Sequence, residues 1–251
     1  MKQLAIKAAK EAGKILMQYY RKGIKGKVKF ADNLVSKVDL ESERKIIGLI
    51  KSKYPEHSIL SEEGGGKKGN SYKWIIDPLD GTHNYLYGIP LFGTSIALEY
   101  NGEVMLGVIY LPYYNQLFVA EKGKGAFLNN KRIKVSKTNK LKKAMVLYDG
   151  GLQRDKKIKL KALAKLVDSV FRIRILGAAC ASLTYIANGD ADIYMEHSTN
   201  PWDIAAGLLI IEEAGGKVTG LDGRKHDLSE KGFVASNGKL HNNIIRIIKT
   251  L

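Results

Sequence analysis

The chain has 251 residues, of which 45% are hydrophobic and 26% are charged, as is ordinary for a soluble globular protein. Its single cysteine, Cys180, excludes an internal disulfide framework, and no uninterrupted apolar run is long enough to cross a bilayer. We therefore expect one large domain or two closely packed lobes, without a signal peptide and in a reducing cytoplasm.

The net charge of +16 comes from 41 lysines and arginines against 25 aspartates and glutamates. Such a charge can attract polyanions or steer an anionic substrate, and it can equally be a solvated lysine-rich surface of the kind seen in high-temperature life. The lysines are spread along the chain, and neither a zinc-finger spacing nor an RNA-recognition aromatic motif is present. We favour the solvated surface and do not expect nucleic-acid binding as the main function.

The first part of the chain is predicted to form two helices joined by a loop. Apolar residues recur at helical spacing from Leu4 to Tyr19, with lysines between them. The glycine- and lysine-rich residues 22–33 predict a mobile loop or a loose hairpin. A second apolar stripe, from Leu40 to Ile50, predicts a helix with Asp39 at its start, where a carboxylate can cap free backbone N–H groups.

Residues 57–61 predict a strand, which is followed by the adjacent acids Glu62 and Glu63 and by flexible glycines at 64–66. Paired glutamates are usually solvated. Here they lie close to the next acidic segment along the chain, so Glu62 could converge with it on one site, while Glu63 is expected to point away.

A short apolar run from Trp74 to Ile76 predicts a buried strand that ends at Asp77-Pro78. Asp77 and Asp80 follow, with Gly81-Thr82 directly behind them. One interpretation is a turn in which aspartate caps a helix. The other is a site that binds a hard divalent cation through the carboxylates and holds an anion on the N–H groups of a helix start.

The middle of the chain predicts an antiparallel meander. Residues 95–100 and 103–110 alternate with period two across Asn101-Gly102, a strong type I′ hairpin signal, and further strands are predicted near 116–120 and 125–128. The glycines at 123 and 125 lack the Gly-Lys-Ser/Thr ending of a nucleotide P-loop, so they predict a hairpin turn.

Near residue 138 the pattern changes to alternating helices and strands, which indicates a second lobe. We expect an N-terminal α+β lobe over residues 1–137 and a C-terminal α/β lobe over 138–251. The predicted strands of the second lobe are 144–147, 171–175 and 192–195, and its predicted helices are 158–167, 179–187, 202–213 and 240–249.

Two long segments carry a family resemblance. Residues 74–85 read WIIDPLDGTHNY and are followed by Gly-Ile-Pro at 88–90; residues 201–207 read PWDIAAG and are followed by Glu-Ala-Gly-Gly at 213–216. Both resemble, in the same order, the signatures of the inositol monophosphatase family of Mg²⁺-dependent, lithium-sensitive phosphatases. The resemblance implies an α/β fold that is a layered αβαβα sandwich, with metals at the junction of the lobes and a homodimeric assembly.

The resemblance also implies a set of metal ligands. Glu62, Asp77 and the Leu79 carbonyl would bind one Mg²⁺, and Asp77, Asp80 and Asp203 would bind a second. A third, weaker ion would use Glu62 and waters, with help from the loop at 22–33. Asp203 lies at the start of a predicted helix, so on the residues alone it could equally be an N-cap.

Catalytic and substrate-binding roles follow from the same resemblance. Thr82, backed by Asp39, would orient or deprotonate the attacking water beside Glu62, and the N–H groups of Gly81 and Thr82 would grip the phosphate. Ala178 stands where many relatives have serine or threonine, which removes a possible hydroxyl contact. The residues expected to contact the substrate are Asp80, Arg174, Gly177, Ala179 and Glu196.

The substrate implied is a small phosphate monoester. The compact length and lysine-rich composition are similar to archaeal members, which act on inositol 1-phosphate and fructose 1,6-bisphosphate. A 3′-phosphoadenosine nucleotide and a broad range of sugar phosphates are alternatives. A non-enzymatic alternative is a basic RNA- or protein-binding regulator with the same fold, which the net charge of +16 supports.

Overall fold

The computed structural model of the protein describes residues 1–22, 27–30, 33–35, 37–67, 69, 71–148 and 150–250. Its helices are α1 (Lys2–Tyr19), α2 (Lys37–Lys51), α3 (Thr82–Leu86), α4 (Lys156–Ser169), α5 (Ala179–Asn188), α6 (Pro201–Glu213) and α7 (His241–Ile248). Its strands are β1 (Lys27–Phe30), β2 (Asn33–Val35), β3 (Ser58–Ser61), β4 (Gly65–Lys67), β5 (Tyr72–Asp80), β6 (Gly93–Tyr100), β7 (Glu103–Leu111), β8 (Gln116–Glu121), β9 (Gly125–Leu128), β10 (Lys131–Arg132), β11 (Met145–Tyr148), β12 (Arg172–Arg174), β13 (Ile193–Glu196), β14 (Lys217–Gly220) and β15 (Phe233–Ser236).

The strands form two large sheets and one small pair. The first large sheet has the order β10-β9-β8-β7-β6-β5-β3-β4, in which only β3 and β5 run parallel. The second has the order β12-β11-β13-β15-β14, with β11 parallel to both of its neighbours and β15 antiparallel to both of its own. The two sheets therefore draw on separate parts of the chain.

Hydrophobic packing arranges these elements in five layers. Helices α1 and α2 cover one face of the first sheet, where Ile46 packs with Trp74 and Ile76. Ile75, whose side chain lies on the opposite face of β5, belongs to a second cluster that also contains residues of α5, α6 and the second sheet. Helices α4 and α7 cover the far face of that sheet in a third cluster. This confirms the predicted α/β fold and its αβαβα layering.

Several predicted elements are confirmed. The hairpin between β6 and β7 turns at Asn101 and Gly102, whose φ angles of 51° and 84° are both positive, as a type I′ turn requires. The loose-hairpin alternative for residues 22–33 is confirmed by the antiparallel pairing of β1 with β2, while residues 23–26, 31 and 32 lie outside the described residues. None of the helices in the described ranges combines the length and apolarity needed to span a bilayer.

Other predictions were wrong. The glycines at 64–66 were expected to be flexible, but Gly65 and Gly66 pair with β3 as part of β4, because a glycine backbone still offers both hydrogen-bonding groups to a neighbouring strand. Strand β5 does not end at Asp77-Pro78. It continues to Asp80, because a bulge between Asp77 and Asp80 removes Pro78 from the regular ladder. Strands β10, β14 and β15 are short and were not predicted.

Candidate functional site

The end of β5 places two buried aspartates beside an irregularity in the sheet. Asp77 pairs with Ser95 and Asp80 pairs with Gly93, so the bulge lies between the two carboxylates. The Pro78 carbonyl inside the bulge accepts hydrogen bonds from the hydroxyls of Ser42 (3.2 Å) and Thr94 (3.0 Å). This departure from the ladder is therefore held in place by polar contacts on the buried side of the strand.

The two aspartates have different hydrogen-bond environments. One carboxylate oxygen of Asp77 accepts the Leu79 N–H at 3.0 Å. Both oxygens of Asp80 are engaged, accepting the backbone N–H groups of Ala179 at 3.0 Å and Cys180 at 2.9 Å. Because these two residues are the first of α5, the positive end of the helix dipole also favours the ionised form of Asp80. Ala179, a predicted substrate-binding residue, thus contacts Asp80 directly.

Gly81 and Thr82 form the turn into α3. Gly81 has a φ of 81°, and a Cβ there would lie 2.8 Å from the Leu91 carbonyl oxygen, so no larger residue fits without distortion. The Thr82 hydroxyl donates to the Leu79 carbonyl at 2.9 Å. The predicted hydrogen bond between Thr82 and Asp39 stays a prediction.

A second acidic group comes from α2 and the turn after β3. One carboxylate oxygen from each of Asp39, Glu62 and Glu63 lies within 4.8 Å of the other two, a spacing that could hold a metal ion. Asp39 is buried in the first turn of α2, which begins at Lys37, two residues before the predicted start. The expectation that Glu63 points away is wrong, because the turn directs both glutamates toward Asp39.

Asp203 comes from the start of α6. The N-cap of this helix is Asn200, and Asp203 is the third helical residue of a capping box, accepting the Asn200 N–H at 2.9 Å. The same oxygen, Oδ2, accepts the Thr199 hydroxyl at 3.2 Å. Asp203 therefore stabilises the helix start, although the cap itself is the residue three positions earlier.

The pKa values show that the separate carboxylates act on one another. Burial raises the pKa of Asp77 well above its usual value, and Glu62, Asp80, Asp203 and Asp39 raise it further in that order. Burial likewise raises the pKa of Asp80 to about 6, against the lowering effect of its hydrogen bonds from α5. Burial raises the pKa of Asp203 to about 7, with a contribution from the negative charge of Asp80.

This electrostatic pattern tests whether the residues suit a cation. Carboxylates that raise one another's pKa share a region where negative charge is poorly compensated. Their donor atoms are all oxygens, which hard divalent cations prefer over the softer transition metals that choose sulfur or imidazole. The donor set therefore fits a hard divalent cation.

The predicted substrate residues lie around the ends of the second sheet. Arg174 is exposed at the end of β12, and Glu196 ends β13, where it accepts the Tyr194 hydroxyl. Gly177 has a φ of 69° and lies beside the Asn84 side chain. The structure thus connects Gly177 and Ala179 to the acidic segment through Asn84 and Asp80, whereas the roles of Arg174 and Glu196 stay predictions.

Three residues near the site were not predicted to matter from the sequence. The Asn84 amide donates to the carbonyls of Leu91 (2.9 Å) and Leu176 (2.8 Å), which joins α3 to the turn before α5. Ser42 and Glu43 make polar contacts from α2 to the two acidic segments. Their spacing of three and four residues from Asp39 was the available signal, since such residues share one helix face.

Comparison with known proteins gives a consistent result. The model of the inositol monophosphatase family matches residues 1–251. A Thermotoga maritima protein named fructose-1,6-bisphosphatase/inositol-1-monophosphatase is 37% identical, over 97% of this chain and 94% of the relative. A Pseudomonas aeruginosa protein named Nus factor SuhB is 36% identical, over 99% and 96%. The crystal structure of the extragenic suppressor protein SuhB from Bartonella henselae has a TM-score of 0.95 at 34% identity, covering 98% of this chain and 97% of that one.

Proposed function

This chain belongs to the inositol monophosphatase family of metal-dependent phosphatases, and on that premise we propose that it hydrolyses inositol 1-phosphate and fructose 1,6-bisphosphate with Mg²⁺. The observation that carries the proposal is the group of carboxylates around Asp77, where burial and then the neighbouring negative charges raise the pKa of Asp77. Nothing in the packing of a stable fold requires such a group, and a bound cation would relieve its repulsion.

We propose the metal ligands that the family resemblance implies. Glu62, Asp77 and the Leu79 carbonyl would hold one Mg²⁺, and Asp77, Asp80 and Asp203 a second, with Glu62 available to a third ion. The Leu79 carbonyl has two lone pairs, so its hydrogen bond from Thr82 leaves one for a cation. When bound, the ions would supply charge neutralisation for the phosphate, a lowered pKa for the attacking water and stabilisation of the departing alkoxide.

The chain itself positions the water and the phosphate. Thr82 has one hydroxyl proton, which it donates to the Leu79 carbonyl. If that proton instead passed to the buried carboxylate of Asp39, the Thr82 oxygen could take a proton from the attacking water. Glu62, whose carboxylate lies near Asp39, would complete this catalytic group. The left-handed Gly81 turns the backbone so that the N–H groups of Gly81 and Thr82 can hold phosphate oxygens. Because water attacks phosphorus directly, no phosphoenzyme is expected.

The substrate alcohol would be held by residues of the second lobe. Glu196 and Arg174 offer an acceptor and a donor for sugar hydroxyls and a second phosphate, and the Gly177–Ala179 turn would form the wall between them and Asp80. Ala178 is buried and has no hydroxyl to contribute. The net charge of +16 suits a bisphosphate, which carries more negative charge than a monophosphate.

We also propose that the protein is a homodimer. Helix α4 and the residues that flank the edge strand β12 expose several large apolar side chains, among them Val167, which is 63% exposed, and Phe171, which is 53% exposed. Apolar side chains clustered on one edge of a sheet are typical of a surface that a second subunit covers. Partners beyond that are small phosphorylated molecules.

A second candidate function rests on the relatives named Nus factor SuhB and on the charge of +16. It is a non-enzymatic regulator that binds RNA or protein through its basic surface. Against it, the chain retains every proposed metal-binding and catalytic side chain, namely Asp39, Glu62, Asp77, Asp80, Thr82 and Asp203. A protein of this fold that no longer catalyses the reaction would be expected to lack at least one metal ligand.

The deciding experiment measures phosphate release from inositol 1-phosphate, fructose 1,6-bisphosphate and 3′-phosphoadenosine 5′-phosphate, each with and without Mg²⁺. Mg²⁺-dependent release from the first two is the expected result. A preference for 3′-phosphoadenosine 5′-phosphate would show that the proposed substrate is wrong and that the proposed metal-dependent hydrolysis is right. No release from any of the three by folded, metal-replete protein would refute the phosphatase proposal and favour the regulator.

A further inference from the structure

Helix α2 directs three polar side chains toward the acidic site from one face. Asp39, Ser42 and Glu43 are spaced by three and four residues, so they lie next to one another on the helix surface. All three are buried, with exposed fractions of 1%, 0% and 6%. Buried polar groups are costly unless they are engaged, so the contacts of each one are informative.

Glu43 holds the backbone of the turn that follows Glu62. Its Oε1 atom accepts the N–H of Glu63 at 3.2 Å and the N–H of Gly64 at 2.9 Å. Hydrogen bonds from amides to an ionised carboxylate are about twice as strong as neutral ones. A single side chain of α2 therefore fixes the backbone immediately after one proposed metal ligand.

Ser42 holds the other acidic segment in a similar way. Its hydroxyl donates to the carbonyl of Pro78, the residue between Asp77 and Leu79, at 3.2 Å. The Pro78 carbonyl is shared with Thr94, so Ser42 is one of two supports for that segment. Glu43, by contrast, shares neither of its contacts with another side chain described above: its Oε1 atom accepts both the Glu63 and the Gly64 N–H groups.

A cavity of about 380 Å³ lies beside this contact, between α2 and the β3–β4 turn. It is lined by Glu43 and Ile47 of α2, by Ile59 and Ser61 of β3, and by Gly64 of the turn. The turn is therefore not closely packed against α2 on that side. The hydrogen bonds from Glu63 and Gly64 to Glu43 therefore lie where side-chain packing between the turn and the helix is incomplete.

We propose that Glu43 is a positioning residue that sets the cation affinity of the site by fixing the Glu62–Glu63 turn against α2. The inference deepens the proposed function and rests on its metal centre. Glu43 contacts no substrate and no reacting atom. It acts through Glu62 and Glu63, whose carboxylates must face Asp39 at a distance that suits a cation.

A purely structural role for Glu43 would give a different result. Loss of a buried hydrogen-bonded carboxylate would then lower the stability of the fold and leave the cation affinity of the folded molecules unchanged. The contribution of its charge can also be separated, because glutamine keeps an acceptor oxygen for the two N–H groups and removes the negative charge.

The experiment compares the full-length wild type with Glu43→Ala, Glu43→Gln and the control Glu41→Ala. Glu41 is on the same helix, but its side chain leaves the helix about 200° around from that of Glu43. Mn²⁺ binding is titrated by electron paramagnetic resonance, which follows the free ion, and the Mg²⁺ dependence of phosphate release is measured in parallel. Thermal unfolding without metal establishes that each variant is folded.

We expect Glu43→Ala to weaken Mn²⁺ binding about 10- to 100-fold and to raise the Mg²⁺ requirement by a similar factor. Glu43→Gln should remain within about threefold of the wild type, because its acceptor survives. Glu41→Ala should match the wild type. Unchanged Mn²⁺ affinity in folded Glu43→Ala, or equal weakening in Glu43→Gln, would overturn the proposal. If the wild type releases no phosphate, the proposed function fails, and the Mn²⁺ titration still decides the role of Glu43.

Discussion

Asp80 and Ala179 are joined by a hydrogen bond although 99 residues separate them in the sequence. The carboxylate at the end of β5 accepts the first N–H of α5, and its second oxygen accepts the next N–H, that of Cys180. One proposed metal ligand thus also connects the first sheet to the helices between the sheets. Its two functions can be separated by substitution.

Asp80→Asn should combine two opposing effects on metal-free stability. An asparagine amide presents an oxygen to one of the two N–H groups and an NH₂ group to the other, so one buried donor loses its acceptor, at a cost of about 1–3 kcal/mol. Because burial raises the pKa of Asp80 to about 6, removal of its charge favours folding at pH 8, so we expect a smaller gain in the free energy of unfolding than for Asp77→Asn, measured by urea denaturation in EDTA. A gain as large as that of Asp77→Asn would show that the two N–H bonds do not hold Asp80 in solution.

Asp77→Asn should raise metal-free stability without losing a hydrogen bond. The pKa of Asp77 is raised in the folded state, mainly by burial, so its ionised form opposes folding once the pH rises through that pKa. Asparagine keeps the oxygen that accepts the Leu79 N–H and removes the charge. We expect a gain of at least about 1 kcal/mol at pH 8 in EDTA.

The same variant should lose activity. Removing the carboxylate shared by the two proposed metal positions should lower the Mg²⁺-dependent rate by at least about a thousandfold, or roughly 4 kcal/mol of transition-state stabilisation. Phosphate release at saturating Mg²⁺ measures this loss. Near-normal activity in Asp77→Asn would contradict the metal assignment, and a stability lower than that of the wild type would contradict the proposed repulsion.

Gly81→Ala should be more costly than Gly102→Ala. Both glycines have φ above 80°, so each substitution carries the left-handed backbone penalty of about 1–2 kcal/mol. A Cβ at Gly102 meets open space, whereas one at Gly81 meets the Leu91 carbonyl oxygen at 2.8 Å. Urea denaturation of the two variants isolates the steric difference, and phosphate release should fall only in Gly81→Ala. Equal stability losses would mean that the Gly81 turn moves freely.

His241 should make the protein sensitive to mild acid. Its two ring nitrogens contact the hydroxyls of Thr219 and Ser236, both at 2.8 Å, and burial lowers the pKa of His241 to about 4. Because the folded pKa lies below the unfolded value of 6.5, the stabilisation is complete above pH 6.5 and is lost as the pH falls toward 4.

The measurement is the free energy of unfolding from pH 7 to pH 4 for the wild type and for His241→Gln. Over this range the wild type should lose roughly 3 kcal/mol more than the variant. Taking the difference between the two proteins removes the contribution of the acidic site, whose raised pKa values act in the opposite direction. Parallel pH profiles would show that His241 is accessible to protons in the folded state.

Val167→Glu should convert the proposed dimer to a monomer. Val167 is the most exposed of the apolar side chains on α4, and a charge there would be buried without a partner in a subunit interface. Light scattering after gel filtration should give twice the chain mass of 27.8 kDa for the wild type and the chain mass for the variant. Met105→Glu, on the other sheet, should remain dimeric. A monomeric wild type would refute the dimer.

The sequence predicts well those elements whose signals are local. The apolar period of α1, the Asn101-Gly102 turn and the glycine-closed α6 each follow from residues within one element. The acidic residues were assigned by family resemblance, and the structure supports their proximity through the pKa values of Asp77, Asp80 and Asp203.

The features that sequence reasoning missed depend on tertiary contacts. Gly65 and Gly66 form a strand by pairing with β3, and the hydroxyls of Ser42 and Thr94 hold the Pro78 carbonyl where β5 continues past it. The backbone of Glu63 is held by Glu43 of α2. Local patterns do not encode the contacts of Pro78 and Glu63, because these partners lie 16 to 36 residues away in the sequence.

The dispersion of the acidic residues along the chain has a consequence for biosynthesis. A growing polypeptide acquires Asp39, Glu62, Asp77 and Asp80 early, but Asp203 follows roughly 120 residues later, on the order of ten seconds at typical rates of translation. During that interval the nascent chain carries an incomplete set of the proposed ligands and no α6. The full cation affinity of the proposed metal centre therefore requires the finished polypeptide.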